Sequence, residues 1–173
     1  YKSSYEIICT LIDVVSKNGN LLLNIGPKAD GSIPEGDRLI LEELANWMQI
    51  NKEAITGAKT WRKSEEGVTR SVEGQFQDQV KKDYTSKDYR FTVNHGAIYA
   101  IALKCPEDGK FIIQSLADSK DQNVPEFHGI VEGVEVLGFE GAVKEWYKDA
   151  IGLHIATEGV ESDLPVVIKV KIE

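Results

Sequence analysis

The sequence has little cysteine and no long hydrophobic run. Its two cysteines, Cys9 and Cys105, lie far apart, and neither belongs to a Cys-x-x-Cys pair or a Cys/His cluster. We therefore expect two free, mostly buried thiols, with neither a metal site nor a cofactor. No apolar run approaches the roughly 20 residues that a membrane-spanning helix needs, so a membrane partner is not expected.

Basic residues are scarce in the second part of the chain. Residues 1–62 hold 7 Lys and Arg against 8 Asp and Glu, whereas residues 63–173 hold 13 against 20. An acidic surface repels phosphate backbones and anionic lipid surfaces, so we expect neither nucleic acid nor a membrane surface as a partner. With 42% hydrophobic and 28% charged residues, the composition is typical of a globular protein.

A short apolar run near the beginning organises the chain. Leu21, Leu22, Leu23 and Ile25 follow one another without polar alternation, which is typical of a strand covered on both faces in a parallel sheet. Such a strand needs neighbouring strands, and no second run of this kind, with a helix on each side, occurs in the sequence. We therefore expect the chain to begin inside a larger α/β domain, of which it carries the last helix-strand-helix unit.

Capping signals place the two helices of that unit. Ser3 and Glu6 form a capping box, which predicts a helix from about Ser4 to Lys17. Asn18-Gly19 ends this helix, with Gly19 expected in the left-handed conformation, and the strand follows from Asn20 to Ile25. Pro34 with Glu35 marks the start of the second helix. The apolar stripe of the second helix is Leu41, Leu44, Trp47 and Met48.

The pattern changes in the second half. Residues 63–86 are polar and aperiodic, which indicates a connection or an irregular first strand. Seven strand-length runs separated by turn signals then predict an antiparallel β-sandwich, with a boundary near residues 58–66. The runs are Tyr89–Val93, Ala97–Leu103, Lys110–Leu116, Gly129–Leu137, Val143–Tyr147, Gly152–Ala156 and Val166–Ile172. The predicted fold class is thus α+β.

Several motifs resemble those of the α-L-fucosidases, glycoside hydrolase family 29. The first is the contiguous stretch 15–27, Val-Ser-Lys-Asn-Gly-Asn-Leu-Leu-Leu-Asn-Ile-Gly-Pro, followed by Ala-Asp-Gly-Ser-Ile-Pro at 29–34. The second half adds Tyr-Thr-Ser-Lys-Asp at 84–88, Ile-Tyr-Ala-Ile at 98–101 and Val-Glu-Val-Leu-Gly at 134–138. Two positions depart from the family pattern, Lys52 in place of Gly and Thr60 in place of Pro, and both lie in connecting turns.

The resemblance implies the C-terminal part of a retaining exo-glycosidase that releases terminal α-L-fucose from glycans. Residues 1–62 would be the last helix-strand-helix part of a (β/α)8-like catalytic barrel, and residues 63–173 a C-terminal β-sandwich. The two catalytic carboxyl groups would lie in earlier parts of the barrel, so no catalytic role is assigned here and the chain alone is expected to be inactive. Its partners would be the missing upstream barrel and, through the complete enzyme, fucosylated glycans. A periplasmic, secreted or lysosomal location is suggested by the resemblance alone.

Asn24 is the candidate substrate-binding residue. It follows the predicted strand, on the side of a barrel that faces the substrate, where it could bind a sugar hydroxyl or a catalytic carboxylate. The alternative is that its amide satisfies backbone groups at the barrel rim. Asp30 could line the pocket mouth, although Asp-Gly usually forms a simple turn.

The other polar and aromatic candidates have mainly structural interpretations. Trp47 is predicted in the core and Trp61 between the two domains. Trp146 and Tyr147 point to opposite faces of one strand, so one is expected buried and the other exposed. The expectation for the remaining residues is a structural role for three histidines and solvated loop charges for two pairs: His95, His128, His154, Glu65-Glu66 and Lys81-Lys82.

A second function remains open from the sequence. The sandwich could instead be a stand-alone carbohydrate-binding module, or a structural one, since one architecture carries many functions. Two or three coplanar exposed aromatic side chains on one face would favour glycan binding. The sequence offers few, because most aromatic residues of the strands fall at positions expected in the core.

Overall fold

The computed structural model describes residues 2–69, 82–119 and 127–173. Two α-helices come first, α1 (Ser4–Ser16) and α2 (Glu35–Asn51), and eight strands follow within these ranges. The strands are β1 (Lys59–Glu66), β2 (Tyr89–Asn94), β3 (Ala97–Ala102), β4 (Lys110–Ile113), β5 (Val131–Val136), β6 (Val143–Lys148), β7 (Leu153–Thr157) and β8 (Val166–Ile172). Two single-turn 3-10 helices complete the regular structure, Lys52–Ala54 and Gln114–Leu116.

The strands form two sheets. One has five strands in the order β1-β2-β3-β8-β5, the other has three in the order β4-β7-β6, and neighbouring strands are antiparallel throughout. All seven predicted strands are present, and β8 has the predicted bounds. Strand β1 begins at Lys59 and overlaps the start of residues 63–86, the segment predicted as a connection or an irregular first strand. The predicted α+β class with an antiparallel sandwich is confirmed.

The main core lies between the two sheets. Every second residue of β2 and β3 enters it, including Phe91, Ile98 and Ala100, and Phe111 and Ile155 meet them from the three-stranded sheet. These side chains are at most 1% exposed. Because apolar burial contributes about 25 cal/mol per Å², this alternation holds the two sheets face to face.

The helices cover the other face of the five-stranded sheet. Ile8 and Ile12 of α1 and Trp47 of α2 pack with Tyr99 and Ile101 of β3 in a second core. All six residues of β3 are therefore buried, since one face of the strand meets the other sheet and the opposite face meets the helices. The molecule thus has three layers: helices, a five-stranded sheet and a three-stranded sheet.

Hydrogen bonds attach the helix layer to the sheet. Trp47 Nε1 donates to the Pro165 carbonyl at 2.8 Å, and the Tyr5 hydroxyl donates to the Leu103 carbonyl at 2.9 Å. Trp47 therefore belongs to the core, as predicted.

Within the described ranges, neither helix has the length and apolar character that crossing a bilayer requires.

A buried ion pair joins α1 to the sheet. The Arg90 side chain is fully buried, and its Nε donates to Asp13 Oδ1 at 2.6 Å, while Nη2 lies 3.4 Å from Glu65 Oε2. Lys17 bridges the same two carboxylates at 3.0 and 3.2 Å. Burial by itself raises the pKa of Asp13, but the hydrogen bond and charge of Arg90 outweigh it and hold that pKa below its usual value.

No strand forms at residues 20–25, in contrast to the prediction. The segment between the two helices belongs to no regular element, and Leu22 is 94% exposed. A strand must exchange backbone hydrogen bonds with a neighbour, and none of the eight strands described here pairs with this stretch. The predicted strand, covered on both faces, is therefore not formed among the described residues.

The end of α1 also differs from the prediction. Asn18, rather than Gly19, has the left-handed conformation, with φ of 64°. The Gly19 N–H donates to the Val14 carbonyl at 2.8 Å and the Asn18 N–H to the Val15 carbonyl at 3.1 Å, which is a Schellman motif. Gly19 is needed instead for its lack of a side chain, because an added Cβ would lie 2.8 Å from Val14 Cγ1.

Candidate functional site

The exposed segment, residues 20–33, carries the predicted substrate-binding residue. Asn24 lies in it with an exposed side chain, beside the half-exposed Leu23 and Ile25. Large apolar side chains left in water are informative when they cluster, because they mark surfaces that bind another body. Within the described ranges, neither Leu23 nor Ile25 packs against either hydrophobic core.

Helix α2 continues the apolar surface. Leu39 and Ile50 are both more than half exposed, and eleven positions along a helix bring them to the same face. Leu39 and Ile50 lie roughly 60–80° around the helix from Trp47. Ile50 also approaches the turn after β5, where a Cβ added to Gly138 would lie 2.8 Å from Ile50 Cγ2. The exposed apolar positions of α2 therefore border the face that packs on the sheet.

Asp30 is a turn residue. Its Oδ1 accepts hydrogen bonds from the Ser32 N–H at 2.9 Å and the Ser32 hydroxyl at 2.6 Å. Gly31 supplies the left-handed conformation, with φ of 83°. The Ser32 hydrogen bonds lower the pKa of Asp30, which is therefore an ionised group that closes its own loop. In the described structure Asp30 therefore forms the simple Asp-Gly turn that the sequence analysis gave as the alternative to lining a pocket.

Trp61 lies in a different place from the one predicted. Its ring packs within the sandwich against Phe91, at a centroid distance of 5.0 Å, and against Phe127 at 6.1 Å, rather than against the helices. Trp146 also packs on the sandwich core, while its neighbour Tyr147 is exposed, so the prediction of opposite faces for this pair is confirmed.

Two of the predicted solvated charges are structural. Besides the contact of Glu65 with Arg90, the Glu66 carboxylate accepts the backbone N–H groups of Gln114 and Ser115 at 2.8 and 2.7 Å. Glu66 thereby caps the second 3-10 helix, a contact that local sequence patterns do not reveal because 48 residues separate Glu66 from Gln114. Lys81 lies outside the described residues.

The histidines and cysteines do not form a catalytic or metal-binding group. Over the described ranges, no three side chains of His, Cys, Asp or Glu come close enough together to hold a metal ion. Both cysteines are free, as predicted, and burial raises the pKa of Cys9 to about 12. Such a thiol stays protonated and is a poor nucleophile. His95 lies in the β2–β3 turn, with φ of 47°.

One titratable cluster stands on the outer face of the three-stranded sheet. The rings of Tyr147 and His154 are stacked, with centroids 4.6 Å apart and planes at 8°. His154 Nε2 lies 2.9 Å from Asp149 Oδ1. The hydrogen bond from the Ile151 N–H, followed by the one from His154, lowers the pKa of Asp149, so its carboxylate is ionised near neutral pH.

The comparison with known proteins identifies a family. The family model described as alpha-L-fucosidase matches residues 1–53. Tissue alpha-L-fucosidase of Rattus norvegicus is 34% identical over 160 residues, which cover 92% of this chain and 27% of that protein. Alpha-L-fucosidase of Dictyostelium discoideum is 28% identical over 169 residues, which cover 96% of this chain and 30% of that protein.

A solved structure agrees with these relatives. The crystal structure of Thermotoga maritima alpha-fucosidase in complex with a mechanism based inhibitor aligns with 98% of this chain at a TM-score of 0.71 and 26% identity. The alignment covers 34% of that protein, so the chain spans between a quarter and about a third of the length of these relatives. Both the helical part and the sandwich are included in the match. The chain therefore belongs to the α-L-fucosidase family.

Proposed function

We propose that this chain is the C-terminal part of a retaining α-L-fucosidase, an exo-glycosidase that releases terminal α-L-fucose from glycans. The supporting observation is that residues 1–53, which match the family model, contain the exposed segment and its unpartnered apolar side chains. Residues 1–62 would be the end of the catalytic barrel and residues 63–173 the sandwich beside it. Strand β1 lies at this boundary.

In this proposal the upstream barrel supplies the neighbours of the exposed segment. Residues 20–25 become a strand when other barrel strands pair with them, which satisfies their backbone groups and buries Leu22. Helices α1 and α2 hold the two ends of the segment, since both are fastened to the sandwich through Trp47 and Arg90. The sandwich thus positions the last strand of the barrel.

The chemistry belongs to the rest of the protein. Retaining glycosidases use two carboxyl groups about 5–5.5 Å apart, one as nucleophile and one as acid and base. We place both in the upstream barrel and expect this chain alone to release no fucose. Its contribution is to close the barrel and to complete the rim of the substrate pocket.

Asn24 is the proposed contact with substrate. At the C-terminal end of a barrel strand its side chain would lie on the face that binds substrate, where its amide can donate to and accept from sugar hydroxyls. Replacing it with Ala should raise KM for a fucoside about fivefold, because one hydrogen bond to a neutral group contributes about 1 kcal/mol. The matched control is Asn20→Ala at the other end of the strand, which should leave KM unchanged.

The test joins this chain to the upstream part of a related α-L-fucosidase and measures hydrolysis of 4-nitrophenyl α-L-fucoside. The joined protein should turn over the fucoside, and the chain alone should not. Leu22→Asp should abolish the activity by placing a charge in the barrel wall, whereas Lys28→Asp, a charge change in the adjoining turn, should preserve it. A folded, soluble joined protein without activity would refute the proposal.

A further inference from the structure

The outer face of the three-stranded sheet carries a row of exposed apolar side chains that belong to neither hydrophobic core. Ile112 of β4 and Tyr147 of β6 both lie opposite His154 of β7 in the strand register. Ile112 is 42% exposed and Tyr147 is 51% exposed, and Ile151 in the β6–β7 turn is 61% exposed. The outer face of a sandwich is usually polar, so three large apolar side chains around one imidazole call for an explanation.

The row is rigid in a way that suits binding. The imidazole of His154 is held by its stack on Tyr147 and by Asp149, whose Oδ1 also accepts the Ile151 and Gly152 N–H groups at 2.8 and 3.1 Å. A preorganised aromatic side chain loses little conformational freedom when it binds a ligand. The Asp149 side chain nevertheless remains 40% exposed, so its carboxylate can accept further hydrogen bonds.

The second face of the Tyr147 ring is available. Among the strands that the structure describes, β6 pairs with β7 alone, which makes it an edge strand of its sheet. His154 stacks on one side of the ring, and no second aromatic or cationic partner of Tyr147 occurs among the described residues. A flat apolar surface therefore faces outward beyond the sheet edge, with a carboxylate and an imidazole close by.

We propose that Tyr147, His154 and Asp149 form a binding site for a single neutral pyranose ring of a glycan. The C–H face of a pyranose is apolar and its rim carries hydroxyl groups. The ring of Tyr147 would stack on the C–H face, and the carboxylate of Asp149 would accept from the hydroxyls. The site does not depend on the fucosidase proposal, because the residues that form it are all in the sandwich.

Charge decides in favour of a neutral sugar. Asp149 is ionised. Glu145 of β6 and Lys110 of β4 both lie opposite Ala156 on this outer face, so their charges offset one another, and residues 63–173 as a whole carry more acidic than basic side chains. A sugar that bears a carboxylate or a sulfate would be repelled from this face. A neutral pyranose meets no such penalty.

The test is a titration of the full chain with N-acetyllactosamine, observed by NMR. The proposal expects saturable shift changes at the ring protons of Tyr147 and His154, with a Kd on the order of 1 mM for so small and open a site. Tyr147→Ser should weaken binding at least tenfold, while Tyr147→Phe, which keeps the ring, should bind as the parent does. Glu145→Ala is the matched control on the same face and should bind normally.

The shift map of the unsubstituted chain is decisive by itself, even where a variant fails to fold. Saturable shifts confined to the Tyr147 face support the site. Linear shifts without saturation, or saturable shifts elsewhere in the chain, overturn it. Because the readout is binding, loss of this site leaves the fucosidase proposal untouched, and absence of hydrolysis leaves this site untouched.

Discussion

Replacing Asp13 with Ala should destabilise the chain severely, because it removes one of the two carboxylates that face a fully buried charge, Arg90. Arg90 is 0% exposed, and its shortest ion pair is the one with Asp13. Removing one partner of a buried pair typically costs about 3–5 kcal/mol. Glu65 still faces Arg90 at 3.4 Å, so we expect a loss near the lower end, about 3 kcal/mol in the free energy of unfolding.

Urea unfolding followed by tryptophan fluorescence measures this loss. The double variant Asp13→Ala with Arg90→Met should recover part of it, because replacing both partners by apolar groups leaves no buried charge. The matched control is Glu42→Ala, which breaks an exposed ion pair with Arg38 and should leave the unfolding midpoint unchanged. A loss below about 1 kcal/mol in the free energy of unfolding for Asp13→Ala would show that the pair does not anchor α1 as described. A double variant that is less stable than Asp13→Ala would show the same.

Three further predictions follow from particular contacts. Asn18→Ala should lower the free energy of unfolding by about 1 kcal/mol while Asn18→Gly should not, because only the latter accepts the left-handed conformation easily; equal losses would contradict the Schellman geometry. Burial by itself raises the pKa of Asp88, but hydrogen bonds from the backbone N–H and hydroxyl groups of Thr85 and Thr69 outweigh it and hold that pKa low. The pKa of Asp13 is also held low, so the stabilising effect of both carboxylates should be complete above the ordinary carboxyl pKa of about 4 and disappear as the pH falls through the folded values. Urea unfolding at pH 7 and pH 3 should show a smaller pH effect for Asp88→Asn, and an unchanged effect would refute this. In this chain without the upstream barrel, Leu22→Asp should not change the unfolding midpoint, and it should reduce any self-association seen by sedimentation. A large loss of stability would mean that Leu22 is buried.

The strands could be predicted from the sequence because their patterns are local. In β8 the residues Val166, Ile168 and Val170 enter the main core, and the alternation with turn signals on both sides was enough to place its ends. The sequence does not decide between a strand and a connection at β1, because Lys63 to Glu66 are polar. Its pairing depends on β2 and its charges on Arg90, both distant in sequence.

The sequence pattern does not predict that the two helices pack on the five-stranded sheet as a third layer. The spacing of Ile8 and Ile12 predicted an apolar face for α1, but not that this face lies on Tyr99 and Ile101 of the sandwich. Trp61 was misplaced for the same reason, since an aromatic residue near a boundary does not reveal which of two cores it enters. Long-range packing, rather than local preference, decides both cases.

The candidate site was predicted only in part. The Asp-Gly turn at residue 30 and the buried Trp47 were recognisable from local chemistry. The role of Asn24 stays a prediction, since its proposed partners are a sugar and a barrel outside the described residues. The stacked pair of Tyr147 and His154 depends on strand register, which brings together residues from β6 and β7 in a way that composition does not reveal.

The central claim is that residues 20–25 form a barrel strand once the rest of an α-L-fucosidase surrounds them, and amide hydrogen exchange tests it most directly. In the chain alone these amides should exchange as fast as an unstructured peptide, because no described strand pairs with them. In the protein joined to an upstream fucosidase barrel, Leu21 to Ile25 should become as strongly protected as the core strand β3. Fast exchange of these amides in an active, joined enzyme would contradict the account.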